Sequence, residues 1–284
     1  MRKESDMVAH PGGLRPRSKE GAIGSSPFRK GGFRGIFPAL LLLLLLAGCA
    51  HEEGLVVSEA DMPPPQALFE KLTADAAPGK TLVGILHVAA SLPGKRYTFK
   101  IAAAAKRPDC LRLEDLSVIG LPDFMLTAKG EEIRMFLPRS GEFWVGTGSS
   151  EHVLRVFPPA VRPLDLVALL YGQPPGVSGE KSLKGSIDGN RFRLDVYARG
   201  AWAQSLWIEP ATGRLTKVEI ADGHGKTAYK ALLHDFAEMG SLTVPAGIEI
   251  ETEGMAKVRL SIRNTDMEIV SRDDDPDFFL LKPP

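Results

Sequence analysis

Few side chains in this 284-residue chain stand at spacings that could support catalysis. Ser178-Gly179-Glu180-Lys181 satisfies Ser-x-x-Lys, in which a lysine activates a serine nucleophile, but it lies in a Gly/Pro-rich stretch rather than at a helix start. His234-Asp235 pairs a base with an orienting carboxylate, yet no Gly-x-Ser-x-Gly turn accompanies it. His87, His152 and His224 are scattered, with neither His-x-x-x-His spacing nor a paired acid. Asp273-Asp274-Asp275 with Asp277 could attract a cation weakly, but a charge run near the C-terminal end reads as a solvated turn. Cys110, in Pro108-Asp109-Cys110-Leu111, reads as a small half-buried hydrophobe rather than a nucleophile. The expectation is a protein that is not an enzyme and uses no metal or cofactor. Lysine and arginine together number 35, as do aspartate and glutamate, so no global basic field attracts nucleic acid.

Covalent chemistry is called for at one position, Cys49. The leucine run Leu40 to Leu46 leads into Ala47-Gly48-Cys49. Arg29, Lys30 and Arg34 precede the apolar run with no acid between them. From Ile36 to Ala47 that run is twelve residues, interrupted by Pro38, whereas a spanning helix needs about 20. A positive flank, a short apolar core and small residues at its end describe a secretory signal. Leu46-Ala47-Gly48-Cys49 resembles the lipobox of a bacterial lipoprotein, which implies cleavage before Cys49, a diacylated thiol and an acylated new amino terminus. The polar residues before this signal form an extension that takes no part in the fold. With Cys49 lipidated, Cys110 has no partner and no disulfide is expected.

The elements that must carry any function lie after residue 49. Residues 49–66 read as a tether with Glu52, Glu53, Glu59 and Asp61 and then Pro63-Pro64-Pro65; fully extended, it reaches about 55 Å. Residues 67–284 read as one domain. Leu68, Phe69 and Leu72 mark a short amphipathic helix over residues 65–72, stopped by Pro78-Gly79. From Thr81 onward the period changes to two. Tyr97, Phe99, Ile101 and Ala103 alternate with polar or small residues, as do Ile133, Met135 and Leu137, Phe192, Leu194 and Val196, and Val258, Leu260 and Ile262. Such segments are antiparallel strands with one dry and one wet face. Gly-containing turns separate about ten or eleven of them, which predicts a large curled sheet and a mainly β (α+β) protein.

Between Glu151 and Pro175 the alternation stops. Arg162 to Gly172 reads as a helix with Pro163 in its first turn and Gly172 just past its end. Apart from Asp165 it is apolar nearly all round, so it must be enclosed on several sides. A second short apolar piece, Val153 to Phe157, precedes it. The dry face of the sheet is the available enclosure, and two arrangements stay open: a covered cavity or a filled core.

In this order of elements the chain resembles the LolA/LolB superfamily of periplasmic lipoprotein carriers and receptors. The resemblance rests on Leu111 to Gly120, Phe124 to Ala128, Pro163-Leu164 with the leucine-rich helix and its Gly172/Pro174 exit, Leu215 to Val218, and Pro245 to Ile250. It implies an incomplete β-barrel covered by a few helices. It also implies acyl chains or lipoproteins as cargo, received from a soluble periplasmic carrier and inserted into the outer membrane. The lipid anchor favours a LolB-like receptor fixed to the membrane, and Ala50 in place of aspartate favours the outer membrane. Carried over residue by residue, the loop Val118, Ile119, Gly120, Leu121 would touch the membrane, with Ile119 best placed. The pocket would be formed by Phe99, Ile101, Met125, Met135, Leu137, Leu166, Leu169, Leu170 and Trp207, with methionine suited to variable chains such as palmitate. A lipid-sensing or purely structural envelope lipoprotein of the same fold is the alternative.

Overall fold

Alternation of apolar and polar side chains is realised as thirteen strands in a single antiparallel sheet. The computed structural model describes residues 58–284 except 76, 118–121, 149–152, 154–157, 159, 254–256 and 272–276. The first six strands are β1 (Lys80–Leu92), β2 (Lys95–Lys106), β3 (Cys110–Asp115), β4 (Met125–Lys129), β5 (Glu132–Leu137) and β6 (Glu142–Thr147). The second group is β7 (Lys181–Asp188), β8 (Arg191–Ala198), β9 (Ala201–Ile208), β10 (Leu215–Ala221), β11 (Thr227–Met239), β12 (Leu242–Thr252) and β13 (Arg259–Ser271). Each group is a meander of neighbouring hairpins, and the two join where β13 pairs with β1. The spatial order runs from β6 through β1 and β13 to β7, and the two edge strands do not pair, so the curled sheet is an open barrel.

The strand count exceeds the ten or eleven expected from alternation. Glu142–Thr147 and Ala201–Ile208 carry no clean period of two. They become strands because complete neighbouring ladders, Glu132–Leu137 and Arg191–Ala198, offer them backbone partners.

Two α-helices lie among the described residues, α1 (Pro65–Thr73) and α2 (Pro163–Leu170). Both start with proline at the first helical position, where the missing N–H costs nothing. The carbonyls at the end of α1 are met by the Arg107 guanidinium, which donates to Thr73 O at 3.0 Å and Ala74 O at 2.9 Å, and by the Gln173 amide at 2.7 Å from Ala74 O. The chain is already structured before α1. A 3-10 turn spans Glu59–Asp61 and Met62 packs against the core, so the last residues of the expected tether belong to the domain. Gly185 on β7 leaves the space that Met62 and Pro65 occupy; a Cβ there would collide with Met62.

Most apolar strand residues gather on the inner face. Leu82, Leu111, Leu126, Ile133, Leu194, Leu206, Val218, Val244 and Ile250 are among those buried in one continuous core. The outer face is wet and laced with ion pairs between neighbouring strand positions, among them Arg112–Glu114, Arg193–Asp195 and Lys217–Glu219. Exposed pairs of this kind stabilise little. Over β3 to β5 the outer face is also covered by the C-terminal segment: Arg112 Nη1 donates to Phe278 O at 2.7 Å, and Leu281 N–H donates to Thr127 Oγ1 at 3.1 Å. Phe279 and Leu281 are buried there.

Helix α2 touches β2, β3 and β12 on the inner face, with Leu166, Val167, Leu169 and Leu170 all buried. Gly172, at φ +68°, turns the chain out of the helix in the left-handed region, and its missing Cβ lets Pro245 approach. Tyr171 fastens this end to the sheet. Its hydroxyl accepts from Leu82 N–H at 3.0 Å and lies 2.9 Å from Ala105 O and 3.2 Å from Lys80 O. Burial pushes its pKa up to about 12, so it remains a donor at any ordinary pH. Tyr171→Phe leaves the buried Leu82 N–H and Ala105 carbonyl without this partner and should lower the unfolding free energy by about 1–3 kcal/mol in urea titrations. Stability equal to wild type would show that the hydroxyl does not fasten the helix.

Candidate functional site

Enclosing an all-apolar helix against a curved sheet leaves unfilled space at one end of the inner face. A cavity of about 300 Å³ is bounded by Leu86, Val88 and Ala90 of β1, Phe99 and Ile101 of β2, Leu113 of β3, Leu137 of β5, Leu260 and Ile262 of β13, and Leu166 of α2, with Asp123, Phe124 and Pro158 completing the wall. Its volume is at the small end of the range for ligand sites, and its lining is almost wholly apolar.

Strand register explains why these residues meet. Phe99 lies opposite Val88, which lies opposite Ile262; Tyr97 lies opposite Ala90, which lies opposite Leu260. Strand β3 pairs with only Ile101–Lys106 of β2, so the β1–β2 hairpin projects beyond it. Leu92, Tyr97 and Phe99 are consequently exposed although Phe99 lines the cavity. The rings of Tyr97 and Phe99 stack with centroids 6.3 Å apart. An apolar cavity with aromatic rings standing exposed beside it can accept a hydrocarbon chain without burying a polar group.

The segment between β3 and β4 is pinned beside this cavity. Buried Asp115 accepts from Asp123 N–H at 3.1 Å through its carboxylate, and its own N–H donates to Phe124 O at 3.1 Å. Asp123 also pairs with Arg139 at 2.6 Å on the surface. The predicted membrane-contact residues Val118, Ile119 and Leu121 lie between these pinned ends and outside the described residues, as do Cys49, His152, Leu154 to Phe157 of the second apolar piece, and Asp273 to Asp275.

Of the predicted pocket residues, Phe99, Ile101, Leu137 and Leu166 line one cavity together. Met135, Leu169 and Leu170 are on the inner side but are core packing, each exposed by 1% or less. Met125 and Trp207 require correction. Met125 pairs in register with Glu114 and Phe136, whereas its neighbour Leu126 pairs with Leu113 and Met135 in the core. Met125 therefore faces outward. Trp207 lies between core residues Leu206 and Ile208 and faces the opposite way, opposite Arg193 and Lys217. Its ring is covered by Lys217 Nζ at 3.8 Å and Arg193 Cζ at 5.2 Å, and its indole N–H donates to Asp188 at 2.8 Å. It is buried by cations on the outer face, not by the core. In both places a run of adjacent apolar residues concealed the phase, which the charged cross-strand neighbours reveal.

Sequence reasoning missed Leu86, Val88 and Ala90 as wall residues. They alternate along β1, and that period was the available signal. Leu260 and Ile262, on the dry face that alternation predicts for β13, also belong to the wall.

The residues considered for chemistry are far less organised. Ser178 lies in irregular chain after α2, while Lys181 opens β7 and its ammonium donates to Gly179 O at 3.4 Å. His234 Nδ1 is 3.0 Å from Asp235 on the exposed side of β11. Burial, reinforced by Asp109, raises the pKa of the Cys110 thiol and disfavours the nucleophilic thiolate. Among the described residues no group of three His, Cys, Asp or Glu side chains is placed to hold a metal ion.

No family model matches the sequence, and no curated protein is similar to it. Solved structures do resemble it. A LolA superfamily protein from Nitrosomonas europaea superposes with a TM-score of 0.57 at 12% identity, over 75% of this chain and 97% of that one. A DUF1329 family protein from Desulfovibrio piger gives 0.57 at 12% identity, over 76% and 98%. A domain assigned to outer membrane lipoprotein sorting, from Vibrio parahaemolyticus, gives 0.51 at 12% identity, over 74% and 92%. At this identity the likeness is one of fold: the chain has the open-barrel fold seen in LolA superfamily proteins.

Proposed function

We propose that this protein is a lipid-anchored envelope protein that holds an acyl chain in the apolar cavity beneath α2 and acts by binding and release rather than by catalysis. The observation that carries this reading is the cavity itself. Leu86, Val88, Ile101, Leu113, Leu166 and Ile262 form an apolar container on the inner face of the sheet, with exposed Tyr97 and Phe99 beside it. Each CH₂ withdrawn from water into such a space is stabilised by about 0.8 kcal/mol. A bound chain therefore leaves only when a second apolar phase receives it, and a membrane is such a phase.

The finer reading is LolB-like: a receptor anchored through Cys49 in the outer membrane takes acylated lipoproteins from a soluble periplasmic carrier and passes them into the bilayer. Support comes from the lipobox at Leu46 to Cys49, from Ala50 after it, and from the fold likeness to LolA superfamily proteins. The pinned ends of the β3–β4 segment at the cavity wall support a release route through Val118, Ile119 and Leu121, an apolar segment that could dip into lipid. One observation favours the alternative of a lipid sensor: about 300 Å³ is little room for the several chains of a lipoprotein.

Mass spectrometry of lipids extracted from the native protein should find acyl chains, and the purified protein should take up a fluorescent fatty acid. Ala90→Trp fills the cavity and should weaken that uptake at least about tenfold while the circular dichroism spectrum is retained, since the loss of several buried CH₂ contacts exceeds about 1.4 kcal/mol. No lipid in the native protein and unchanged probe binding by a folded A90W variant would refute the acyl-cavity reading. Cys49→Ser should move the protein from the membrane to the soluble fraction; continued membrane retention after high-salt and carbonate washes would remove the lipid anchor. Ile119→Glu should slow transfer of a lipoprotein to liposomes at least about tenfold without changing probe affinity, whereas unchanged transfer would exclude the loop from delivery.

A further inference from the structure

Exposed apolar side chains are concentrated at one place on the molecule. Among the described residues six large hydrophobic side chains are exposed, and four of them, Leu92, Tyr97, Phe99 and Leu116, lie on or against the projecting β1–β2 hairpin. Leu116 is held there by its N–H, which donates to Lys100 O at 2.7 Å. Apolar side chains gathered on a projection, rather than scattered singly, mark a contact surface.

The period of two sets them in line. Leu92, Ala90 and Val88 share one face of β1, and Tyr97 and Phe99 stand opposite Ala90 and Val88 on the same face of the sheet. That face continues into the cavity, whose wall includes Val88, Ala90 and Phe99. With the stacked rings of Tyr97 and Phe99 between them, the hairpin tip and the cavity are joined by an apolar strip. The turn, Pro93-Gly94, has one backbone donor fewer because proline lacks an N–H, which lowers the cost of placing it in an apolar phase.

Charge is the second property of this hairpin. No acid occurs from His87 to Lys106, whereas Lys95, Arg96 and Lys100 fall within it. All three are exposed, and none forms an ion pair among the described residues. The row of Arg96 runs through Ser91 and Arg259 to Glu251, whose carboxylate is already held by Lys257 and Arg259. The row of Lys100 runs through His87, Arg263 and Gly247 to His234 without an acid. An apolar strip bordered by uncommitted cations matches a bilayer that carries anionic phosphates. The apolar side chains and rings enter the interface, and Lys95 and Arg96, on long apolar stems, reach the head groups. An acidic protein would match the charge, but a bilayer also extends the hydrocarbon character of the cavity to which the strip leads.

We propose that the β1–β2 hairpin docks this protein on an anionic phospholipid bilayer, and that its apolar strip is the path between the acyl layer and the cavity. The docking does not depend on the Cys49 anchor; the path rests on the acyl-chain reading above.

Vesicle co-sedimentation tests the docking, with every protein carrying Cys49→Ser so that no lipid anchor contributes. Vesicles of phosphatidylcholine with about one-third phosphatidylglycerol should be bound at least about tenfold more tightly than phosphatidylcholine alone. Lys95→Glu with Arg96→Glu should abolish that preference, and Leu92→Ser with Tyr97→Ser should weaken binding to the anionic vesicles at least about tenfold, with circular dichroism unchanged. The K95E/R96E protein should also extract a fluorescent fatty acid from anionic vesicles at least about tenfold more slowly, while its affinity for the dissolved probe stays within about twofold. Equal binding to both vesicles, or binding to neither, overturns the docking surface whether or not the variants fold, and so does a preference that survives in folded K95E/R96E. Unchanged extraction by that variant overturns the path. Docking without uptake of the dissolved probe overturns the acyl-cavity reading and the path together, whereas uptake without docking overturns the hairpin surface alone.

Discussion

Everything in this fold depends on one dry sheet face whose two edges do not meet. The first meander ends at β6 and the second begins at β7, on opposite margins of the sheet. The connecting chain, Gly148 to Glu180, must travel between those margins, and the inner face is apolar along the way. A polar connection would strand its backbone groups against leucine and valine. An apolar helix satisfies its own backbone and presents side chains to the core, which is why α2 occupies this place. Tyr171 fixes one end to β1 and β2, while the Arg162–Asp165 contacts organise the other.

The placement of that helix makes the inner face unequal along its length. Over most of the sheet, side chains such as Met135, Leu169 and Leu170 meet and fill the space. Near the projecting β1–β2 hairpin they do not, and Leu166 of the first helical turn faces the gap. Neighbouring residues Asp165 and Leu166 face different spaces because successive positions on a helix differ by about 100°. One short element thus borders both the apolar cavity and a wider space at the ends of β8 to β11. The outer face is organised differently: ion pairs solvate it, and Phe279 and Leu281 of the C-terminal segment cover part of the first meander.

Much of this was legible in the residues. Alternation marked the dry strands, turn glycines bounded them, and Pro163 and Gly172 delimited the covering helix before its position was known. Phe99, Ile101, Leu137 and Leu166, expected from the sequence on a dry face, do border one cavity. The errors arose where apolar residues are contiguous. At Phe124-Met125-Leu126 and Leu206-Trp207-Ile208 composition offers no phase, and only pairing with Glu114, Arg193 and Lys217 assigns Met125 and Trp207 to the outer face.

The sequence by itself determined the mainly β class, the one-sided strands and the enclosed helix, because these follow from local periodicity and local steric preference. Tertiary structure alone decided which dry residues surround empty space and which fill it. A cavity is the volume left between elements distant in the chain, here β1, β2, β13 and α2. Its existence depends on how closely their side chains approach, and no local pattern encodes that distance.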